Sequence, residues 1–213
     1  MEANQHYDKE YFTWQKKVGE FGGKANLFKF ESYIERNMDV LDFGCGGGFL
    51  LKQIETDGKK IGVEINPSAR EEAEGKGILC YEQISNIDDN SVDIVVSNHA
   101  LEHVENPFYY ITEFKRVVKT GGKMVLVVPH EMSRTIKDED RHKHLYTWTP
   151  QNMYNLCKLC GWEVESCESL CNAWMPYYYK IQRVVGWKIF NLLCYLYGKL
   201  RRRYQTRVVC IKR

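Results

Sequence analysis

The chain has 213 residues, 44% of them hydrophobic, which is enough for one well-buried domain and too few for two comfortable ones. Its eight cysteines follow a start, "MEANQHYDKEYFTWQ", without the basic head and apolar core of a signal peptide. That pattern excludes a disulfide scaffold and predicts reduced thiols in a cytoplasm. The formal net charge of +2 conceals a division: no acidic residue follows Glu168, residues 176–213 hold ten Lys and Arg, and the preceding body is net acidic. Such segregation suits an anionic partner, either a membrane surface or a phosphate-bearing substrate, or else balances the acidic body across an interface.

Residues 7–37 are rich in aromatics and read as one or two helices over the ligand edge of a sheet, a helical cap spanning 1–37. From Met38 onward, short apolar runs alternate with helical stretches. Strands are expected at 39–43, 60–65, 78–81, 92–97, 123–129, 162–170 and 206–213. Helices are expected in "GFLLKQIETD", in "NPSAREEAEGKG" with Asn66 as N-cap and Pro67 in the first turn, and in "PFYYITEFKRVVKTGG" closed by its glycines. This order predicts an α/β three-layer sandwich with a seven-stranded, mostly parallel sheet. A single domain follows: cap 1–37, core 38–170, a helical insertion or lid at 171–205, and a last strand at 206–213.

Open parallel sheets bind ligands at the carboxyl ends of their strands, with the loop after the first strand as the key element. Here that loop is "DFGCGGGF". A dinucleotide fingerprint needs a glycine where Phe49 stands, and no Gly-Lys-Ser or Gly-Lys-Thr completes a phosphate-binding loop. The glycines instead permit close backbone approach of a compact ligand. Asp42 would attract an ammonium and repel phosphate, while Glu64 at the tip of the second strand suits ribose hydroxyls. A ligand with a ribose, an amino-acid head and no phosphate is S-adenosylmethionine.

The segments "VLDFGCGGGFLL", "GVEINPSA", "VDIVVSNHALEHVENP" and "FKRVVKTGGKMVLVVPH" resemble the consecutive motifs of class I S-adenosylmethionine-dependent methyltransferases, across roughly residues 38–165. The resemblance implies a loop of Asp42, Gly44, Cys45, Gly46 and Gly48 around the methionine end of the cofactor. It also implies Glu64 on the ribose, Ile65 beside the adenine, and Asn98 and His99 near the sulfonium. Glu82 and Gln83 both remain candidates for capping the adenine.

His99, Glu102 and His103 spell the H-x-x-E-H of inverted zinc proteases, but they follow directly on a buried strand instead of lying within a long helix. On one helical face they could converge on a divalent ion. Ubiquinone-pathway O-methyltransferases and small-RNA 2′-O-methyltransferases resemble this arrangement, the latter also in "HKHLYTWT", with His142 and His144. His99 stands where those branches carry a carboxylate, which disfavours magnesium. Without a metal, the chemistry needs only a base near an in-line acceptor; His99, His142 and His144 lead as catalytic candidates, with His130 also available.

The insertion is aromatic, basic and too interrupted to span a bilayer. Residues 177–204 could lie on a membrane surface, form a dimer contact or cover a hydrophobic acceptor. Cys157, Cys160, Cys167 and Cys171 have near-zinc spacing, but helix packing explains the first two better. The expected activity is methyl transfer to oxygen of a small-molecule, glycan or lipid-linked acceptor in the cytoplasm or at a membrane periphery, with no nucleic-acid partner. The alternatives are a metal-assisted RNA 2′-O-methyltransferase and a non-catalytic binder of the same cofactor.

Overall fold

The computed structural model describes residues 9–131 and 143–213. Seven strands form one sheet: β1 (Val40–Phe43), β2 (Lys60–Val63), β3 (Leu79–Tyr81), β4 (Val92–Asn98), β5 (Val118–His130), β6 (Glu163–Cys171) and β7 (Tyr204–Ile211). Their order is β3-β2-β1-β4-β5-β7-β6. The first five run parallel, while β7 is antiparallel to both β5 and β6. All four residues of β1 are buried, as continuous apolar runs require when helices cover both faces of a parallel sheet. Strand order reverses between β1 and β4, which opens a crevice at their carboxyl ends.

The helices are α1 (Lys9–Asn26), α2 (Phe49–Gln53), α3 (Pro67–Glu74), α4 (Pro107–Val117), α5 (Pro150–Leu159) and α6 (Tyr178–Arg201). On one face, Ile111 and Phe114 of α4 and Met153 and Cys157 of α5 pack against the sheet. On the other, Leu50 and Leu51 of α2 and Ala73 of α3 do so. Three helices begin with the same chemistry, a polar cap followed by proline: Asn66, Asn106 and Thr149 each accept a backbone N–H with Pro67, Pro107 and Pro150 behind them. Each such cap contributes about 1 kcal/mol.

Two of the differences from the expected boundaries have a plain local cause. α2 is one turn shorter, because the Ile54 N–H closes back on Leu50 and Leu51 and the chain then extends. α4 stops at Val117 without reaching its glycines, and β5 starts at once. Gly121 instead takes a left-handed φ of +81°, and a Cβ on Gly122 would lie 2.5 Å from the Asp93 carbonyl oxygen. These glycines therefore bring β5 close to β4; they do not end the helix.

Among the described residues, α1 is the cap. It rests on α2 through Gly19 and Gly23, where a Cβ on Gly23 would meet the Phe49 carbonyl oxygen at 2.2 Å. That contact seats α1 beside the glycine loop. The insertion forms α6, whose backbone breaks at Gly186 (φ 71°, ψ 174°) into two helical segments. Its inner side is tied to α1 by rings: Phe21 lies 5.3 Å from Trp174, 4.7 Å from Tyr178 and 5.5 Å from Phe190 between centroids.

Candidate active site

The loop leaving β1 turns through three left-handed glycines, Gly44 (φ 73°), Gly46 (φ 52°) and Gly48 (φ 72°). A Cβ on Gly44 would collide with Ala100 Cβ at 2.3 Å, and one on Gly48 with Ile78 Cδ1 at 2.3 Å. These glycines bring the loop against both the turn after β4 and the start of β3. Glu64, just beyond β2, ties the loop down: its two carboxylate oxygens accept the N–H groups of Gly46 and Asn66, each at 2.9 Å. Burial pushes the Glu64 carboxyl up, and those N–H bonds oppose it. Asp42 is buried at the end of β1 and sits well above the usual carboxylate range, first from burial and then from the Glu64 charge.

A cavity of about 610 Å³ opens at this edge. Gly44, Glu64, Ile65 and both Glu82 and Gln83 line one end, while His103, Tyr109 and Tyr110 line the other, with His99 and Ala100 between them. Ile65, 39% exposed, presents an apolar face to the crevice. Five expected cofactor residues lie behind this wall. Asp42 is buried, Gly46 is held by Glu64, and Gly48 is packed on Ile78. Cys45 turns its thiol inward: it faces Gly62 and lies 3.7 Å from the Cys80 sulfur, inside the sheet packing. Asn98 is turned to another partner, described next.

That partner is Lys29, which sequence reasoning missed. It is 1% exposed, and its Nζ donates to Asn98 Oδ1 at 3.1 Å. Burial pulls its amine down to about 7, with the Glu102 charge opposing and Arg207 assisting. The one available signal was a cation set in the apolar run "LFKF", with the neighbouring Phe30 fully buried.

The residues after β4 do not continue as an α-helix. His99 takes a left-handed φ of 58°, and Leu101–His103 forms a single 3-10 turn. Glu102 is fully buried. Burial alone would push its carboxyl up, but the His99 hydrogen bond and the His103 charge hold it below the ordinary value. Glu102 is therefore a carboxylate, and His99 Nδ1, 3.2 Å from its Oε1, is the donor. The Leu145 N–H donates to the Glu102 carbonyl at 2.9 Å and lays the 143–149 segment on the turn. This brings in His144, whose Nε2 lies 3.8 Å from Glu102 Oε1 and whose Nδ1 lies 3.0 Å from Glu131 Oε2. His142 lies outside the described residues. His130, at the end of β5, faces Tyr204 with ring centroids 6.2 Å apart.

A metal-capable group results, but not the expected one. Glu102, His103 and His144 offer ligand atoms within 4.8 Å of one another, while His99 supports Glu102 from outside. Glu102 Oε2 is buried without a hydrogen-bond partner among the described residues, and a cation would satisfy it. Tetrahedral zinc holds its ligand atoms about 3.3 Å apart, so separations of up to 4.8 Å would close by up to about 1.5 Å on binding. Two imidazoles and one carboxylate suit such a borderline ion better than magnesium.

A family profile described as "Methyltransferase domain" matches residues 41–126. The tRNA U34 carboxymethyltransferase of Hydrogenovibrio crunogenus is 26% identical over 176 residues. That match takes in 72% of this chain and 52% of the relative, so the chain spans about half of that protein's length. The ubiquinone biosynthesis O-methyltransferase of Rickettsia canadensis is 23% identical, over 72% of this chain and 74% of its own. Among solved structures, an S-adenosylmethionine-dependent methyltransferase from Archaeoglobus fulgidus superposes with a TM-score of 0.66. It is 20% identical, over 96% of this chain and all of that one.

Proposed function

The chain is a class I S-adenosylmethionine-dependent methyltransferase, and from that premise we propose that it methylates an oxygen of a small-molecule, glycan or lipid-linked acceptor. The observation that carries this reading is the pairing of a carboxylate-anchored glycine loop with a histidine base at one cavity. When bound, the cofactor supplies an electrophilic methyl group and leaves as the neutral thioether.

Each residue then has a task that its surroundings fit. Glu64 keeps a lone pair on each oxygen for the ribose hydroxyls after its backbone bonds are made. Asp42, buried behind the glycine loop with its carboxyl pushed well above the usual range, rests neutral and would take up charge only with a cation such as the cofactor's ammonium close by. Ile65 packs against the adenine, whose edge Glu82 or Gln83 can reach. His99, with Nδ1–H fixed on Glu102, would offer Nε2 to take the proton of an acceptor hydroxyl. The ubiquinone-pathway relative, named as an O-methyltransferase, supports oxygen as the acceptor atom.

One observation favours a metal-assisted form of the same reaction: Glu102 keeps Oε2 buried without a hydrogen-bond partner among the described residues, while its Oε1 lies 4.0 Å from His103 Nε2 and 3.8 Å from His144 Nε2. An ion held by those three residues would lower the pKa of an acceptor hydroxyl. Titration calorimetry with S-adenosylmethionine, followed by release of the demethylated product with phenolic, sugar and RNA 3′-end acceptors, tests the proposal. Turnover on RNA alone would replace the acceptor class, and binding without turnover on any acceptor would leave a cofactor-binding protein.

A further inference from the structure

The insertion carries a second amphipathic face that the catalytic reading does not use. In the segment after Gly186, Phe190, Cys194 and Gly198 recur every four residues and are buried against the body. A different set, Ile189, Leu192, Leu196 and Leu200, lies on the outward side at 53%, 56%, 52% and 80% exposure. At 100° per residue these four fall within one stripe less than a quarter of the circumference wide. Lys188 and Lys199 border it on the flank shared with Tyr195, and Lys199 sits 4.8 Å over the Tyr195 ring. Arg201, Arg202 and Arg203 follow directly.

The inner rings, Phe21 with Trp174, Tyr178, Trp187 and Phe190, fix the helix to α1, so the stripe cannot turn inward without breaking them. Charge selects what can cover it. No Asp or Glu occurs beyond Glu168, and among the described residues Lys188, Lys199 and Arg201 through Arg203 make no ion pair. A second copy of the same helix would bring those cations against their like. RNA would accept the cations but leave four aliphatic side chains against water. We propose that α6 docks on an anionic lipid surface, with Leu192 and Leu196 buried among acyl chains and the flanking Lys and Arg on phosphate headgroups. No helix among the described residues is long and apolar enough to cross a membrane, so this is attachment at the interface.

Place matters as well as chemistry. Cys171 and Tyr204 pair at the edge of the sheet where β5 ends at His130, so the insertion leaves and returns on the same edge as the cavity. The inference is independent of the methyl-transfer reading and is tested without turnover. The full chain is sedimented with vesicles of phosphatidylcholine alone, or of phosphatidylcholine with phosphatidylglycerol. Binding to the anionic vesicles only is expected, weakened about five-fold by each of Arg202→Gln and Arg203→Gln. Leu196→Glu, at a half-exposed site that folding does not require, should abolish it while leaving S-adenosylmethionine affinity unchanged. Equal binding to both vesicle types, no binding, or a dimer that Leu196→Glu dissociates would each overturn the proposal. Association with RNA in place of vesicles would also overturn it.

Discussion

Lys29 and Asn98, 69 positions apart, are joined by a 3.1 Å hydrogen bond in which a fully buried amine meets a neutral amide. An amide is a poor counter-ion, so the amine leans toward its neutral form and titrates near pH 7.

Stability should therefore follow pH through Lys29. Between about 7 and the free-lysine value of 10.5, the unfolded chain holds a proton that the folded chain has released. Stability rises with pH across that window, and below it the full burden of a buried ammonium remains, on the order of 5 kcal/mol. Lys29→Met should raise the unfolding midpoint more at about pH 6 than at about pH 9. Thermal denaturation at both values checks this; an equal shift at the two would contradict it.

Glu64→Gln should weaken S-adenosylmethionine binding by about ten- to a hundred-fold, the loss of one or two charge-assisted hydrogen bonds. It also replaces one acceptor oxygen with an NH2 facing an N–H donor, either that of Gly46 or that of Asn66. The glycine loop should loosen accordingly. Calorimetry gives the first effect and faster amide exchange at Gly46 the second; tight binding by the variant would remove Glu64 from the ribose.

Gly44→Ala tests the contact between the loop and the turn after β4. The added methyl meets Ala100 Cβ at 2.3 Å from a backbone with φ 73°. A loss of about 2–4 kcal/mol is expected from strain and overlap together. Chemical denaturation measures it, and Gly44→Ala with Ala100→Gly should recover only the steric part, since the left-handed strain persists.

Metal removal separates the two forms of the reaction. Zinc should raise the melting temperature of the chelator-treated protein, with His144→Ala and Glu102→Gln each abolishing the shift. His99→Ala should only weaken it, because His99 touches Glu102 and not the ion. If zinc leaves the wild type unmoved, the histidines act without it.

Most of the strands were legible as bounded apolar runs, and Asn66-Pro67 announced its helix through cap chemistry alone. The place of Glu64 was legible for the same local reason: a carboxylate directly after a strand sits at the sheet's edge. Lys29 was not, since its burial depends on α1 being drawn over the sheet and on Asn98 waiting below. His144 reaches Glu102 through the backbone bond from Leu145 to the 3-10 turn, a tertiary contact that no spacing in "HKHLYTWT" encodes. The inward turn of the Cys45 thiol was not legible either, because backbone and side chain part company there; its loop lies at the ligand edge while its thiol packs on Gly62.

The direct pairing of Cys171 with Tyr204 makes everything between them a detour from one hairpin. The antiparallel ladder of β6 and β7 would keep its register if that detour were shortened to a tight turn, so the segment behaves as a replaceable cassette. Exchange of this one cassette would change the surface that the molecule presents beside the cavity without altering the sheet that carries the site. The burden of such an exchange would fall on α1, which would lose the rings that hold Phe21.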